Sequence, residues 1–582
     1  MAEYKRDDQF ITHNFDFEWK KFGADIAQDG YSYGVQPDLN HAEASAAVSM
    51  AGTDIYHPTQ DELTGAEIAF GGDEIRCLKQ KNYLVLETQA QGFKNWTPYP
   101  GQLKLHAYSH LASGANGLLY WNWHSIHNGY EAYWMGLLGH GLEENETYWE
   151  ACLIGEEWRR IGKRLSRLKK ENKVAVVVDN VSLDALKWYP ADKDLSYNDI
   201  VRWMYDSLYE LNIECDVVDV HSLVPERYRM IVTPALYSVS EETVEALEKF
   251  VREGGVLVSS FRSFVADRNL RIYPDRKLHG LNECFGMMYR QFTEPGRTLV
   301  EGRQARYFAE LLQAQGAETL APYEHRYWGG YSAVTKNSYG DGNAYYAGTY
   351  LEKEQLKKYL LMAAKDAGIK IPAQRYLAVS TFEWLPGIPV YHSRDLKNWE
   401  LYSHVFSEGH SIDLRRLPSA KGIWAPCLTY CEEEDLFYVV YGVMNSMNAR
   451  YFDVDNYLIT AKDLRGPWSE PVYLHSAGFD ASLFHDKDGR KYVVSLDWET
   501  RAGYEKPGVI CLAEYDPEKK EIIGYPKRIW KGGTDRGCIE APHLYRRGNC
   551  YYIMCAEGGT GYNHCVTMGR AEKVWGPYER DP

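Results

Sequence analysis

Three carboxylates in this chain stand where a side chain can attack a carbon or carry a proton. Glu87 closes the apolar run LVLET, and a carboxylate at the C-terminal end of a barrel strand faces the functional rim. A surface or helix-capping glutamate would leave the same trace. Asp480 in GFDASLF and Glu540 in CIEAPHLY each precede a short strand, where a side chain can point into a central channel. Taken singly, an acid at such a start is more often a turn former. Paired, such acids break glycosidic bonds. About 5–5.5 Å apart they attack and shuttle a proton, and about 6.5–9.5 Å apart they leave room for a water. The acid of the pair must keep its proton near neutral pH, which a nearby anion promotes.

Between these points, LLYWNWHSIHNGYEAYW (118–134) gathers Trp121, Trp123, Trp134, His124, His127 and Glu131. Two histidines without a third ligand at metal spacing favour the wall of a sugar pocket over a metal site. Plain core packing accounts equally for at least one tryptophan. GGTGY (558–562) is glycine-rich but lacks the lysine and following helix of a phosphate loop, and reads as a tight turn. The 11 cysteines form no metal-type pair of motifs; Cys427 and Cys431, the nearest approach, read as strand or turn residues in a reduced protein.

The elements that must position these residues fall into three textures. FITHNF (10–15), SMAGTDIYH (49–57), NYLVLET (82–88) and NGLLYWNWH (116–124) read as buried strands, with a helix over 102–115 stopped by Gly114. Strands alternating with helices imply parallel pairing and the habit of a β/α barrel. After a basic helix at 156–171, KVAVVVD (173–179), RYRMIVTP (227–234) and GGVLVSSF (254–261) read as doubly covered parallel strands. A helix between the last two has Ser240 as its N-cap and Gly254 at its end. No glycine-rich fingerprint follows the first of these strands, so support or subunit contact is expected there rather than nucleotide binding. From about residue 375 the pattern repeats: APCLTY (425–430), DASLFH (480–485) and APHLYR (541–546) each precede a turn and a second strand, LFYVVYG, KYVVSL or CYYIMCA. HSRDLKNW (392–399) returns as TAKDLRGPW (460–468) and GRAEKVWGPY (569–578). Such repeats point to a β-propeller with about four countable blades.

Composition narrows the partners. A formal charge of −16 repels phosphate backbones, and 46 Tyr with 17 Trp suit both sugar stacking and aromatic-rich β-structure. The start MAEYKRDDQF has no apolar signal core, and no run of about 18 apolar residues occurs, so a cytoplasmic, non-membrane protein is expected.

ETQAQGFKNWTPYPGQL, followed by LYWNWHSIHNGYEAYW, resembles glycoside hydrolase family 42, the β-galactosidases, over roughly residues 1–370. The unit at about 172–345 looks like that family's trimerisation domain. The resemblance implies that Glu87 is the retaining nucleophile and that Trp96 and Glu131 contact the galactosyl residue, with Trp123 and Trp134 in the same wall. In that family the general acid/base is a Glu after an Asn at the end of the fourth barrel strand. This chain reads as beginning at the fifth, and no Asn-Glu pair precedes Glu87. A half barrel also leaves unpaired strand edges, which favour aggregation or association with a complementary chain.

VSTFEWLPGIPVYHSRDLKNWE (379–400), GIWAP (422–426) and AEGGTGYNH (556–564), with Asp480 and Glu540, resemble glycoside hydrolase family 43 over residues 375–582. Those enzymes are β-xylosidases and α-L-arabinofuranosidases. The resemblance implies inversion, with Glu540 as general acid and Asp480 as the partner that orients it and tunes its pKa. Phe382, Trp424 and His564 would bind the sugar. The family's base is an Asp in a Pro-Asp-Pro segment ahead of SxFEW; here the place reads DAGIKIPAQRYLAVSTFEW, and Asp366, without flanking prolines, is the replacement on offer.

The expected fold is therefore multidomain: a partial (β/α)8 barrel over 1–170, a flavodoxin-like α/β domain over 171–370, and an incomplete, all-β five-bladed-propeller-type domain over 371–582. The expected function is hydrolysis of O-glycosidic bonds in plant-type oligosaccharides, retaining and β-galactosidase-like in one half, inverting and xylosidase- or arabinofuranosidase-like in the other. The competing expectation is a catalytically incomplete, truncated or mis-joined product that at most binds sugars. No cofactor is called for, with a structural calcium ion in the propeller left open. The expected partner is an oligosaccharide rather than nucleic acid or a membrane, and the α/β domain offers a route to a homo-oligomer.

Overall fold

The computed structural model describes residues 6–19, 33–91, 96–166, 168–275, 277–370, 375–393, 396, 398–407, 412–448, 451–498 and 508–581. They divide into two compact units, Met1–Pro372 and Ala373–Pro582.

In the first unit, four parallel strands run in the order Asn14–Phe15, Gly52–Asp54, Tyr83–Gln89 and Ala115–Trp121. The helices Ala66–Lys79, Gln102–Ala112 and Glu146–Leu165 accompany them. All four strands match expected runs, though the first keeps only two residues of FITHNF. The helix expected at 156–171 starts earlier, because Asn145 caps it by accepting from the Tyr148 N–H at 3.1 Å.

Beside this half barrel lies a mixed sheet whose parallel part runs Gly342–Ala347, Val256–Ser260, Met230–Thr233, Val174–Val178, Asp216–Asp219. From the Asp216–Asp219 edge inward, its first four strands take chain order 2-1-3-4, the flavodoxin pattern. Val174–Val178 is buried throughout, as a strand covered on both faces must be. Ser240 caps the helix Glu241–Arg252 as expected. Unforeseen was an antiparallel extension, Met287–Thr293, Arg306–Ala314 and Ser332–Tyr339. Its strands alternate less cleanly, with Arg290, Gln291 and Phe292 all exposed, so the hydrophobic pattern carried little signal.

One core joins half barrel and mixed sheet: Phe15, Tyr33, Ile68 and Val85 share a cluster with Val176, Ile200, Met204 and Val232. Buried charges cross the same boundary. Arg202, fully buried, donates to Glu67 at 3.0 Å, Asp206 at 2.8 Å and the Tyr33 carbonyl at 2.9 Å. Arg76 bridges Asp73 at 2.7 Å and Asp216 at 2.6 Å.

Among its described residues the second unit holds four antiparallel sheets in sequence, one of three strands and three of four. Each four-stranded sheet begins with one expected repeat: APCLTY within Gly422–Cys431, DASLFH at Ser482–His485, APHLYR within Glu540–Arg547. Ala425, Asp480 and Ala541, the first residues of the three repeats, share a left-handed backbone, with φ of 43°, 53° and 49°. Non-glycine residues held there are uncommon and concentrate at functional turns. Gly478 permits the approach to Asp480: its φ is +95°, and a Cβ would lie 1.6 Å from the Leu496 carbonyl oxygen.

Candidate functional site

Glu87 lies at the C-terminal end of Tyr83–Gln89, in register with Asp54 on the neighbouring strand. The Tyr56 hydroxyl donates to Glu87 Oε1 at 2.6 Å and Asn14 Nδ2 to Oε2 at 3.4 Å. Trp134 meets the Tyr56 ring edge-on at 5.5 Å and Trp19 tilts against that ring at 5.6 Å, so the tyrosine that donates to the carboxylate sits among aromatic rings. Glu131 accepts from Trp121 Nε1 at 3.2 Å. Trp123 is turned elsewhere: it is exposed and packs against Tyr148 at 6.0 Å. Trp96 is half-buried, on the border of the described residues. His124 and His127 tilt against each other with ring centroids 5.5 Å apart, and His127 Nε2 donates to the His140 carbonyl at 2.5 Å. Among the described residues no group of three or more His, Cys, Asp or Glu is arranged to hold a metal ion.

Two residues at this site were missed, Asp54 and Tyr56, although both sit in SMAGTDIYH at a strand end, the signal that singled out Glu87. Burial first, then the charges of Glu87 and Asp16, push the Asp54 carboxyl up to about 7. Glu87 thus has, one strand away, a carboxyl whose proton is held more tightly than usual by burial and like-charge repulsion.

In the second unit the repeated turn brings Asp480 and Glu540 together, because they take adjacent positions of it. Asp480 stands where Ala425 and Ala541 stand in their repeats, and Glu540 where Trp424 and Phe479 stand. The Ala541 N–H, next after Glu540, donates to Asp480 Oδ2 at 3.1 Å. Burial and the Glu540 charge raise Asp480 to about 6. Burial also raises Glu540, against the opposing influence of His564. The sequence reading expected an anion to tune the acid; burial is the larger cause for both groups. Trp424 packs on the cluster containing Phe479 and Ile539, the residues just before the two acids, and Phe382 meets the Trp424 ring edge-on at 5.2 Å. His564 is exposed, with Nδ1 2.8 Å from the Gly559 carbonyl oxygen.

Asp366 does not serve as the replacement base in this arrangement. It ends the helix Lys353–Asp366 of the first unit, accepts from the Tyr345 hydroxyl at 2.6 Å and pairs with Lys336 Nζ at 2.7 Å.

Comparison with known proteins fits this division. Residues 4–161 match the model of the beta-galactosidase family, residues 172–370 that of the beta-galactosidase trimerisation domain, and residues 364–582 that of glycosyl hydrolases family 43. The chain is a fusion of family 42 and family 43 glycoside hydrolase segments. Its family 43 segment is 44% identical over 214 residues to xylosidase/arabinosidase 43B of Humicola insolens, covering 37% of this chain and 39% of that protein. It is 45% identical over 207 residues to the beta-xylosidase of Bacillus subtilis, covering 36% and 38%. Across the other segments, beta-galactosidase BgaB of Geobacillus sp. is 30% identical over 338 residues, covering 55% of this chain and 50% of that protein. The chain thus spans about two fifths of the xylosidase relatives and half of the β-galactosidase. The solved structure of a GH42 beta-galactosidase from G. stearothermophilus shares the fold, with a TM-score of 0.57 at 19% identity, covering 80% of this chain and 62% of that one. Among the described residues no helix is long and apolar enough to cross a membrane.

Proposed function

We propose that the chain hydrolyses glycosidic bonds of pentose-bearing plant oligosaccharides, β-xylosides or α-L-arabinofuranosides, at the Asp480–Glu540 pair. The observation that carries this reading is the placement of two half-buried acids on successive copies of one turn, linked by the Ala541 N–H to Asp480 bond and both with raised pKa, with Trp424 at the matching position of a third copy and Phe382 against it. Glu540 gives its proton to the glycosidic oxygen as the C–O bond breaks, and water adds to the anomeric carbon from the opposite face. Asp480, anchored by the Ala541 N–H, fixes the geometry of the pair and repels a second negative charge. Glu540→Gln is expected to lower turnover of xylobiose by about 10²–10⁴-fold, the usual worth of a general acid. Unchanged turnover would remove Glu540 from the mechanism.

A second reading, a sugar-binding remnant, is favoured by the engagement of Asp366 with Lys336 and Tyr345, which leaves the water without that base. Azide separates the two, since it attacks without giving up a proton. In a working acid site lacking a base, azide raises turnover of nitrophenyl β-xyloside severalfold. A binding remnant shows no turnover with or without azide, while xylose still raises Tm.

The Glu87 site is proposed to bind a galactosyl residue through Trp134 and Glu131, and the 172–370 domain to mediate self-association. Both rest on likeness to the family 42 relatives.

A further inference from the structure

We propose that Glu557 is a positioning residue of the Asp480–Glu540 site: its carboxylate clamps the segment leading into Glu540 and so sets where the Glu540 carboxyl can reach. The proposal deepens the reading of Glu540 as general acid and rests on it.

Glu557 ends the strand Cys550–Glu557 and is 1% exposed. A carboxylate buried so deeply must find donors. Here they come from two adjacent residues of the incoming chain. The Gly533 N–H donates to Oε1 at 2.6 Å, the Thr534 N–H to Oε2 at 3.1 Å, and the Thr534 hydroxyl to Oε2 as well. Gly532 makes room for this approach: its φ is +109°, and a Cβ there would lie 2.4 Å from Glu557 Oε1. Two further bonds tie the same segment to the chain that follows Glu557. The Gly558 N–H donates to the Gly537 carbonyl at 2.8 Å, and Arg536 Nη1 donates to the Asn563 carbonyl at 2.7 Å. Glu540 comes just after Gly537, and its partner across the sheet is Ala556, the neighbour of Glu557. The general acid thus lies between the anchored segment and the strand that anchors it.

The other blades single Glu557 out. The cross-strand pairs Leu428–Val439, Leu483–Val493 and Leu544–Ile553 are equivalent in the three repeats. At equal distance beyond the second member of each stand Val443, Asp497 and Glu557. Val443 is buried in an apolar cluster, and Asp497, partly exposed, pairs with Arg528 at 2.7 Å. Packing a blade therefore does not require a buried carboxylate at this place. Of the three, the blade that carries Glu540 is the one that buries a carboxylate there and gives it backbone N–H groups to hold. A general acid must stay within hydrogen-bond reach of the departing oxygen, and a displacement of about 1 Å costs about 10²-fold.

Leaving-group dependence tests the role. Xylobiose needs a proton on its departing oxygen, whereas dinitrophenyl β-xyloside releases a stable phenolate and does not. In Glu557→Gln an amide nitrogen faces a donor, so the clamp loses at least one bond. The variant is expected to lower kcat for xylobiose about 10²-fold and kcat for the dinitrophenyl xyloside by a few-fold at most, with KM little changed. Thr534→Val removes one half-buried hydroxyl from the same clamp and should separate the two substrates in the same sense by a smaller factor. Equal losses on both substrates, the mark of a general structural defect, or no loss on either, overturn the proposal. Hydrogen exchange reads the clamp without turnover: the peptide spanning 531–541 should exchange about tenfold faster in Glu557→Gln. Unchanged exchange overturns the clamp. Exchange that responds in a chain whose wild type hydrolyses neither substrate overturns the general-acid reading, and the positioning role with it, while the clamp stands.

Discussion

In the half barrel, Glu87 is held by side chains from two other segments, Tyr56 and Asn14, whereas in the propeller Asp480 and Glu540 ride on two copies of a backbone turn that recurs in successive blades. The first arrangement needs its whole wall in place; the second needs only its own two sheets. The same contrast runs through the packing. The half barrel leans on the mixed sheet through buried ions, with Arg202 and Arg76 inside a shared core. The blades rest mainly on apolar side chains such as Tyr492, Val493, Val494 and Leu496, with fewer buried ions, among them Lys491 paired to Glu434 at 2.6 Å. Buried ion pairs add little net stability but are severe to break, since the surviving charge is left without a partner. The first unit should therefore be the more fragile of the two under single substitutions.

The largest effect that tests this contrast is Arg202→Met. It leaves Glu67 and Asp206 buried without their cation and is expected to destabilise the first unit by about 3–5 kcal/mol. Calorimetry should show one transition falling while that of the propeller stays. If both fall together, the units do not differ as argued.

A smaller effect of opposite sign is expected at Asp54. Its folded pKa, about 7, lies above its ordinary 3.8, so folding favours the protonated form. That contribution is fully present below about pH 4 and is lost as pH rises through 7, after which ionised Asp54 opposes folding. Asp54→Asn should stabilise the first unit at pH 8 by on the order of 2 kcal/mol, with partial exposure discounted, and do nothing at pH 4. Equal changes in Tm at the two pH values would contradict the assigned cause.

Much of this contrast was legible in the sequence, for reasons that differ between the regions. β-Branched runs announced the parallel strands, because burial on both faces leaves no polar alternation to misread, as at Val174–Val178. The blade starts were legible as repeats, and the shared φ of Ala425, Asp480 and Ala541 gives the repeat its physical meaning. The antiparallel extension was not legible, since edge strands facing solvent carry weak patterns. Nor was the role of Tyr56: its contact with Glu87 spans 31 residues and depends on the register of two neighbouring strands. The different settings of Trp123 and Trp134 were not legible either, since only the fold sets Trp123 against Tyr148 and Trp134 against Tyr56. Asp366 already lacked the flanking prolines of the family's base in the sequence, and its helix commits it to Lys336.

The finest discrimination lies within the propeller pair. Burial and the Glu540 charge raise Asp480 to about 6, burial raises Glu540 against the influence of His564, and the repulsion of two like charges acts on both. In Asp480→Asn the neighbouring charge is gone while the amide still accepts from the Ala541 N–H. Glu540 then loses the repulsion but keeps its burial, the larger cause. The alkaline limb of kcat/KM for an aryl xyloside should move toward acid by less than about one pH unit. A limb that stays fixed would mean that burial alone sets the acid. A limb that moves by several units would mean that the two carboxyls are coupled far more tightly than two copies of a turn account for.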